Sequence, residues 1–408
     1  MMRWVVWGCM GSALAAGCMA DGAPSPHTGE ISDSAGVRVV HHTSEEDLAV
    51  VRPATVLTVG PETAGAPAEF GAIVDVAVRS DTLFVLDGMA QSVSVFGPDG
   101  HFLRTIGSPG DGPGELSRFA ASLLSVEDEL WIADWGHGRI HRYGPEDEVL
   151  PSIAIPAGGT RSWWRVGGDG QMYARTLRRL VNDNGAWAGD DRLVRATDDG
   201  ALDTIFRFEY GETDIGAPGR PALPLVVNAP MWAVLTDGSI VTTDLESNRL
   251  SMLDERGTLR QLITAESWVR HPPSPEDADA LVSLLGDKLV ALGGSRSTLE
   301  QLEVTGPHAL PALTALMPTP EGGVMVQRMG AARSAHPRVL NAPDPPAGWG
   351  GPRWDMLSPN GARLAIIELE PRTRLLRITE ARMVGVQHDP LGREQVVVWE
   401  RPVPVERP

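Results

Sequence analysis

The chain has 408 residues, and its 53 acidic against 35 basic side chains give a formal charge of −18. That balance excludes nucleic acid as the expected partner, because such binding rests on lysine and arginine neutralising phosphates; Lys288 is the only lysine while arginine is common, a usage that reads as base composition rather than function. The 45 glycines and 33 prolines suit many tight turns between short strands, while Cys9 and Cys18, the only cysteines, both lie near the N-terminus and leave the body without an internal disulfide.

In chain order, Arg3 is followed by an apolar run to about Ala16, too short to span a bilayer and of the length of a signal-peptide core. Residues 1–17 are therefore expected to be a signal peptide. The sequence "LAAGC" resembles a bacterial lipobox, which implies lipidation of Cys18, cleavage before it and a lipid-anchored protein in the cell envelope. It departs from the usual pattern in that Leu14 stands four, not three, residues before the cysteine; secretion after cleavage near Ala16 is the alternative. Residues 18–35 are small and polar with no apolar period and read as a flexible tether.

From there the chain repeats itself. "DTLFVLD" at 81–87 returns as "DELWIAD" at 128–134, a period of 47 residues. With the same shift "VLTVGPETAGAPAEF" falls on "LRTIGSPGDGPGELS", and "SVSVFGPDG" falls on "RIHRYGPED". A fixed period of about 40–50 residues marks a propeller blade or a solenoid unit. Within the unit, alternating short strands flank a "GPDG" hairpin turn, which makes it all-β and favours a propeller. Looser copies follow, and blades are predicted at about 71–107, 119–156, 162–209, 228–265 and 311–369. A sixth needs both ends of the chain: three strands from 375–400 and a fourth from 54–60, which aligns with the outermost strand of the next copy. The expected fold is all-β, a six-bladed propeller over 36–402 in which an N-terminal strand joins the C-terminal blade and leaves no free sheet edge at the seam. Residues 274–294 break the pattern. Ser274 suits an N-cap, Pro275 a first turn, and Leu281, Leu284, Leu285, Leu289 and Leu292 form one apolar stripe, so a helical insertion is predicted.

"IADWGHGRIHRY" at 132–143 resembles the NHL-repeat signature, and "GSPGDGPGEL" at 107–116 is similar to the Gly-rich link of bacterial six-bladed β-propeller lipoproteins. The C-terminal "MVGVQHDPLGREQVVVW" resembles that family's closing blade. The resemblance implies the fold and an envelope location, but no activity, since propellers host many functions.

Motifs for chemistry are sparse. There is no HExxH, GxSxG or Walker loop. The Gly-rich 107–116 segment lacks a following helix and a Lys-Ser/Thr pair, so it is not read as a phosphate loop. "LVNDNGAWAGDD" at 180–191 has Leu180 where a calcium loop needs its first ligand, and reads as a hairpin turn. Asp87, Asp134 and Asp244 recur at strand ends, a repetition that points to bonds with turn backbone rather than catalysis. His137 and His141 lie four apart in a turn-and-strand context, and His41 and His42 point to opposite sides of a strand, so neither pair is read as a metal site. On the predicted inner strands only Asp75 is a mid-strand carboxylate, too few for calcium, which wants about six or more oxygens.

Tryptophans in or near loops (Trp135, Trp163, Trp164, Trp232, Trp349 and Trp354) can stack on sugars or anchor proteins, although many are expected to fill gaps between blades. The expected function is a ligand- or protein-binding scaffold with no catalytic residue and no cofactor, its protein or saccharide ligand held by Trp135, His137, Arg139, Trp163 and Trp164. The alternative is a calcium-dependent hydrolase of the lactonase type with Asp75 at its metal.

Overall fold

The computed structural model describes residues 29–402 apart from 47, 62–68, 156–162, 168–170, 182–186, 198–200, 209–215, 218–219, 225–230, 244–247, 273, 277–278, 280–281, 284–294, 296, 298–302, 306–310 and 331–350. The proposed signal peptide, Cys18, Asp244 and Trp349 lie outside the described residues.

Strand pairing follows the 47-residue unit. Blade 1 comprises Ile73–Arg79, Thr82–Asp87, Ser92–Phe96 and Phe102–Ile106, and blade 2 comprises Ala120–Val126, Glu129–Asp134, Arg139–Tyr143 and Val149–Ala154. Blade 3 is Trp163–Val166, Met172–Val181, Trp187–Ala196 and Leu202–Phe208; blade 4 is Trp232–Val234, Ile240–Thr243, Arg249–Leu253 and Leu259–Ala265. Blade 5 is Leu313–Pro318, Val324–Arg328, Arg353–Leu357 and Arg363–Glu368. Blade 6 takes Arg374–Ile378, Arg382–His388 and Glu394–Glu400 from the C-terminus and Thr55–Val59 from the N-terminus. The closing register pairs Val59 with Val396, Thr58 with Val397 and Leu57 with Val398. The chain is thus an all-β six-bladed propeller closed by its own N-terminal strand.

Side-chain alternation builds the ring. In "TLFVLD", Leu83 and Val85 pack with Val384, Val386, Val396 and Val398 of blade 6. Phe84 and Leu86, pointing the other way, pack with Leu123, Leu130 and Ile132 of blade 2. A middle strand therefore buries both faces, each in a different inter-blade core, and each fully buried aliphatic or aromatic side chain contributes roughly 1.5–3 kcal/mol. The outer hairpin turn needs a left-handed residue at one position. Gly100 takes it in blade 1 at φ 80°, and Asp147 takes it in blade 2 at φ 64°. The Asp147 carboxylate then accepts a bond from Arg104 Nη2 at 3.0 Å, tying the edge of blade 1 to the turn of blade 2.

Four inner strands carry a bulge at the same place, between Ile73 and Asp75, Ala120 and Ser122, Leu313 and Ala315, and Leu375 and Arg377. The bulge re-aims the residue after it. Asp75 of blade 1 and Arg377 of blade 6 thereby meet at 3.0 Å.

The N-terminal segment departs from the predicted tether over 18–35. Glu30–Ser34 is a strand, paired with Val37–His42 through a two-residue turn in which Ala35 and Gly36 have φ of 54° and 82°. That is the turn whose twist suits a hairpin, and Asp33 Oδ1 accepts the Gly36 N–H at 3.1 Å. Val37–His42 lies parallel to Leu259–Ala265 on the rim of blade 4. Val50–Val51 then pairs with Ile366 and Ile367 on the rim of blade 5. His41 and His42 do point apart: His41 Nδ1 meets Thr264 Oγ1 at 2.8 Å, while buried His42 bonds the Gly361 carbonyl at 3.0 Å.

Glu45, in the crossing between these rims, joins a buried group of charges. Arg328 Nη2 meets Glu45 at 2.6 Å and also bonds Asp355, to which Arg328 Nε donates at 2.9 Å. Arg363 reaches Glu45 at 3.3 Å, Asp355 at 3.7 Å and Ser267 Oγ at 3.1 Å, and lies over the ring of Trp268, whose indole N–H donates to Asp355 at 2.5 Å. Burial opposes ionisation of Glu45, but its bonds from Arg328 and Ser267 outweigh that and hold its carboxyl below the usual glutamate range. A carboxyl lowered on folding contributes stability that is fully present above its unfolded pKa and is lost as pH falls below it. Acid unfolding of Glu45→Gln is therefore expected to be less steep below pH 4.5 than that of the wild type, as followed by circular dichroism.

Within 274–294 the described residues Pro275, Glu276, Asp279, Val282 and Ser283 are helical, and Ser274 just before them is not. A small sheet absent from the sequence expectation joins two links: Arg220–Pro224 pairs antiparallel with Gly216–Ala217 and parallel with Glu303–Thr305.

Candidate functional site

In an up-and-down blade, the turn between the second and third strands and the link to the next blade lie at the same end. On this face the Gly-rich link 107–116 closes on itself. Ser108 and Pro109 pair with Glu115 and Leu116, Glu115 Oε2 accepts the Gly112 N–H at 2.7 Å, and buried Tyr143 donates its hydroxyl to Gly114 at 2.8 Å. Burial pushes the Tyr143 phenol up to about 12. Gly107 and Gly114 have φ of 75° and 77°, which only glycine adopts without strain. The outcome is a fixed loop with Asp111 at its exposed tip.

Asp111 stands beside the turn of blade 2. Its Oδ1 lies 3.0 Å from His137 Nε2, and its carbonyl accepts a bond from Arg139 Nη2 at 3.1 Å. Beneath them, strand register places Asp134 opposite Arg139 and Ile132 opposite His141, so that Asp134 and His141 are diagonal neighbours on one face. Turn residue His137 folds back over both. His137 Nδ1 is 3.1 Å from Asp134 Oδ2, His141 Nε2 is 3.5 Å from the same oxygen, and the two nitrogens are 3.4 Å apart. Asp134 and His141 are buried, and His137 is half-buried. Asp134 also accepts the Ser117 N–H at 2.7 Å, the Ser117 hydroxyl at 2.5 Å and the His137 N–H at 3.3 Å. Burial would raise its pKa, but these bonds and the one from His141 outweigh it and hold the carboxyl well below the usual range.

The repeat supplies an internal comparison. Asp87 of blade 1 occupies the place of Asp134 and accepts N–H bonds from Gly71, Ala72, Met89 and Ala90, at 2.7 to 3.1 Å. The recurring acid thus holds turn backbone in both blades. Forty-seven residues before Trp135, His137, Arg139 and His141 stand Gly88, Ala90, Ser92 and Ser94. The histidine pair belongs to blade 2 and is not a requirement of the repeat. Spacing alone gave no reason to join them; writing out the hairpin register from the "DWGHGR" turn would have shown the diagonal.

Other expected positions fare differently. Trp163 and Trp164 open the inner strand of blade 3, opposite Arg175 and Ala174, and their side chains are outside the described residues. Trp232 and Trp354 are buried, filling gaps between blades, as is Trp268. Trp135 is half-buried beside the cluster. Asp75 is bound by Arg377 Nη2 at 3.0 and 3.1 Å and by the Leu123 and Val76 N–H groups at 2.9 and 2.8 Å. Its oxygens knit blades 1, 2 and 6 together.

The same face bears exposed apolar side chains on its loops. Met89 (74%), Phe119 (55%) and Leu391 (76%) lie on the blade 1 turn, the link into blade 2 and the blade 6 turn. Arg118 stacks over Phe119 at 5.0 Å. By contrast, Leu103, Val149, Val56 and Ile31 are exposed on outermost strands.

Fold and blade count define a six-bladed β-propeller. Residues 66–156, blades 1 and 2, match a family described as 6-bladed beta-propeller. Similar solved structures include a member of the duf4221 family from Bacteroides vulgatus (9% identity, 86% of this chain and 97% of that one, TM-score 0.48). A protein from Bacteroides fragilis described as exported shares 11% identity over 89% of this chain and 100% of that one (TM-score 0.46). The calcium-binding protein regucalcin from Agrobacterium tumefaciens shares 12% over 88% and 99% (TM-score 0.41). None of the curated proteins matches the chain in sequence.

Proposed function

We propose that the protein is an envelope-located propeller, anchored through a lipid on Cys18, that binds a protein partner on the face carrying the blade 1, 2 and 6 turns. The observation that carries this reading is the placement of Met89, Phe119 and Leu391, large apolar side chains left in water on the loops of one face. Exposed apolar groups with polar surroundings mark interaction surfaces, and Arg118, Arg139 and Asp111 supply the polar setting here. The loops are held by backbone bonds, so little ordering cost accompanies binding. The second reading, a calcium-dependent hydrolase at Asp75, is less favoured because Arg377 and two backbone N–H groups already engage that carboxylate.

The test uses labelled full-length protein and envelope vesicles from the source cell. Saturable binding is expected to fall at least tenfold in Met89→Asp/Phe119→Asp/Leu391→Asp and after protease treatment of the vesicles, and to persist in Leu103→Asp on an outer strand. Binding unchanged in the triple variant sinks the surface; binding that survives protease shows a saccharide or lipid ligand instead. Metabolic labelling with palmitate is expected to be lost in Cys18→Ala and retained in Cys9→Ala.

A further inference from the structure

We infer that Asp134, His137 and His141 form a binding site for a divalent transition-metal ion of the zinc class, set in the blade 2 hairpin and oriented by Asp111.

The donor atoms define the geometry. Asp134 Oδ2, His137 Nδ1 and His141 Nε2 stand 3.1, 3.4 and 3.5 Å from one another, a nearly equilateral triangle. Three ligands of a tetrahedral zinc ion, with bonds of about 2.0–2.1 Å, sit roughly 3.3–3.4 Å apart. Hydrogen bonding does not account for the triangle as well. A neutral imidazole nitrogen either carries a proton or accepts one, so protons can bridge at most two of its three sides. One ion at the centre satisfies all three.

The surroundings match those of a metal-bound histidine. Such a ring donates its other N–H to a carboxylate or carbonyl, which fixes tautomer and orientation. His137 Nε2 faces Asp111 Oδ1 at 3.0 Å, leaving Nδ1 directed at Asp134 and His141. Asp134 is held in turn by Ser117 and the His137 N–H. Gly136 permits this approach, because a Cβ there would lie 2.2 Å from Ser117 Oγ. Imidazole nitrogens with a single carboxylate suit zinc and its neighbours rather than calcium or magnesium, which take oxygen donors. Three protein donors leave the fourth position to water or to a donor from a bound partner. Ala90 and Ser94 at the equivalent places in blade 1 show that the hairpin folds without the histidines, so the pair is not there for folding.

Titration of chelator-treated full-length protein with Zn2+ alone, followed by calorimetry, tests the site. One equivalent is expected to bind, and His137→Ala/His141→Ser, which copies blade 1, is expected to lose at least 100-fold in affinity while melting normally without metal. Cys9 and Cys18 are present in both proteins and drop out of the comparison. Asp111→Asn, at an exposed position, is expected to weaken binding by about 10–100-fold, the range for loss of an orienting partner. The Co2+ form should show the intense visible bands of a four-coordinate ion, absent from the double variant. Equal Zn2+ affinity in wild type and double variant, no binding at all, or only the weak bands of a six-coordinate Co2+ ion overturns the site; unchanged affinity in Asp111→Asn overturns the orienting role of that residue.

Discussion

Replacing Asp355 with alanine is expected to cost about 3–5 kcal/mol in urea unfolding, the range for removing one partner of a buried ion pair. The Asp355 side chain is fully buried and accepts bonds from Arg328 and from the Trp268 indole. Without it, Arg363, which is also buried, and Arg328 face each other with only Glu45 between them. Burial and Arg328 already disfavour the charged form of Arg363. The loss is expected to exceed that in Arg328→Met/Asp355→Leu, because removing both charges together leaves fewer polar groups stranded. A single variant as stable as the wild type would show that the charges do not support one another.

Removing residues 29–60 is expected to abolish cooperative folding, and appending residues 53–60 after residue 402 through a short flexible linker is expected to restore a single transition, since Thr55 lies opposite Trp399 at the end of the neighbouring strand. Thr55–Val59 supplies the outermost strand of blade 6, and Leu57 and Val59 pack in the core shared by blades 6 and 1. Without the strand, Glu394–Glu400 becomes an open sheet edge, which pairs readily with other chains. Size-exclusion chromatography and thermal denaturation would separate the outcomes: aggregate or a broad transition for the truncation, a monomer with one transition for the permutant. A truncated chain that melts sharply would mean that the ring is sealed elsewhere.

Much of this architecture is legible in the sequence. The echo of "DTLFVLD" in "DELWIAD" reports equivalent strand positions in successive blades, since Leu83/Leu130 and Asp87/Asp134 occupy the same places in the register. The fit of 54–60 to the outermost strand of the next copy located the seam, because a repeat carries its own register. Contacts that cross between modules were not legible. Glu45, Arg328, Asp355 and Arg363 are far apart in the chain, and no periodicity marks a charge that is buried because a partner is buried with it. The site shows both regimes. Asp134 and His141 meet by hairpin register, whereas Asp111 and Ser117 reach them by a link whose course depends on Glu115 and Tyr143. The pairing of Arg220–Pro224 with Glu303–Thr305 was hidden for a similar reason, since the strands come from links around opposite sides of blade 4 and are too short to show alternation.

The N-terminal segment touches the rims of blades 4, 5 and 6 in succession before entering the ring. It forms a strap across three blades. A pull on the N-terminus loads the Glu30–His42 hairpin first, then the two-residue pairing at Val50–Val51, and the seal at Thr55–Val59 last. Force applied at that end would thus peel the rim contacts before it reached the strand that seals the disc.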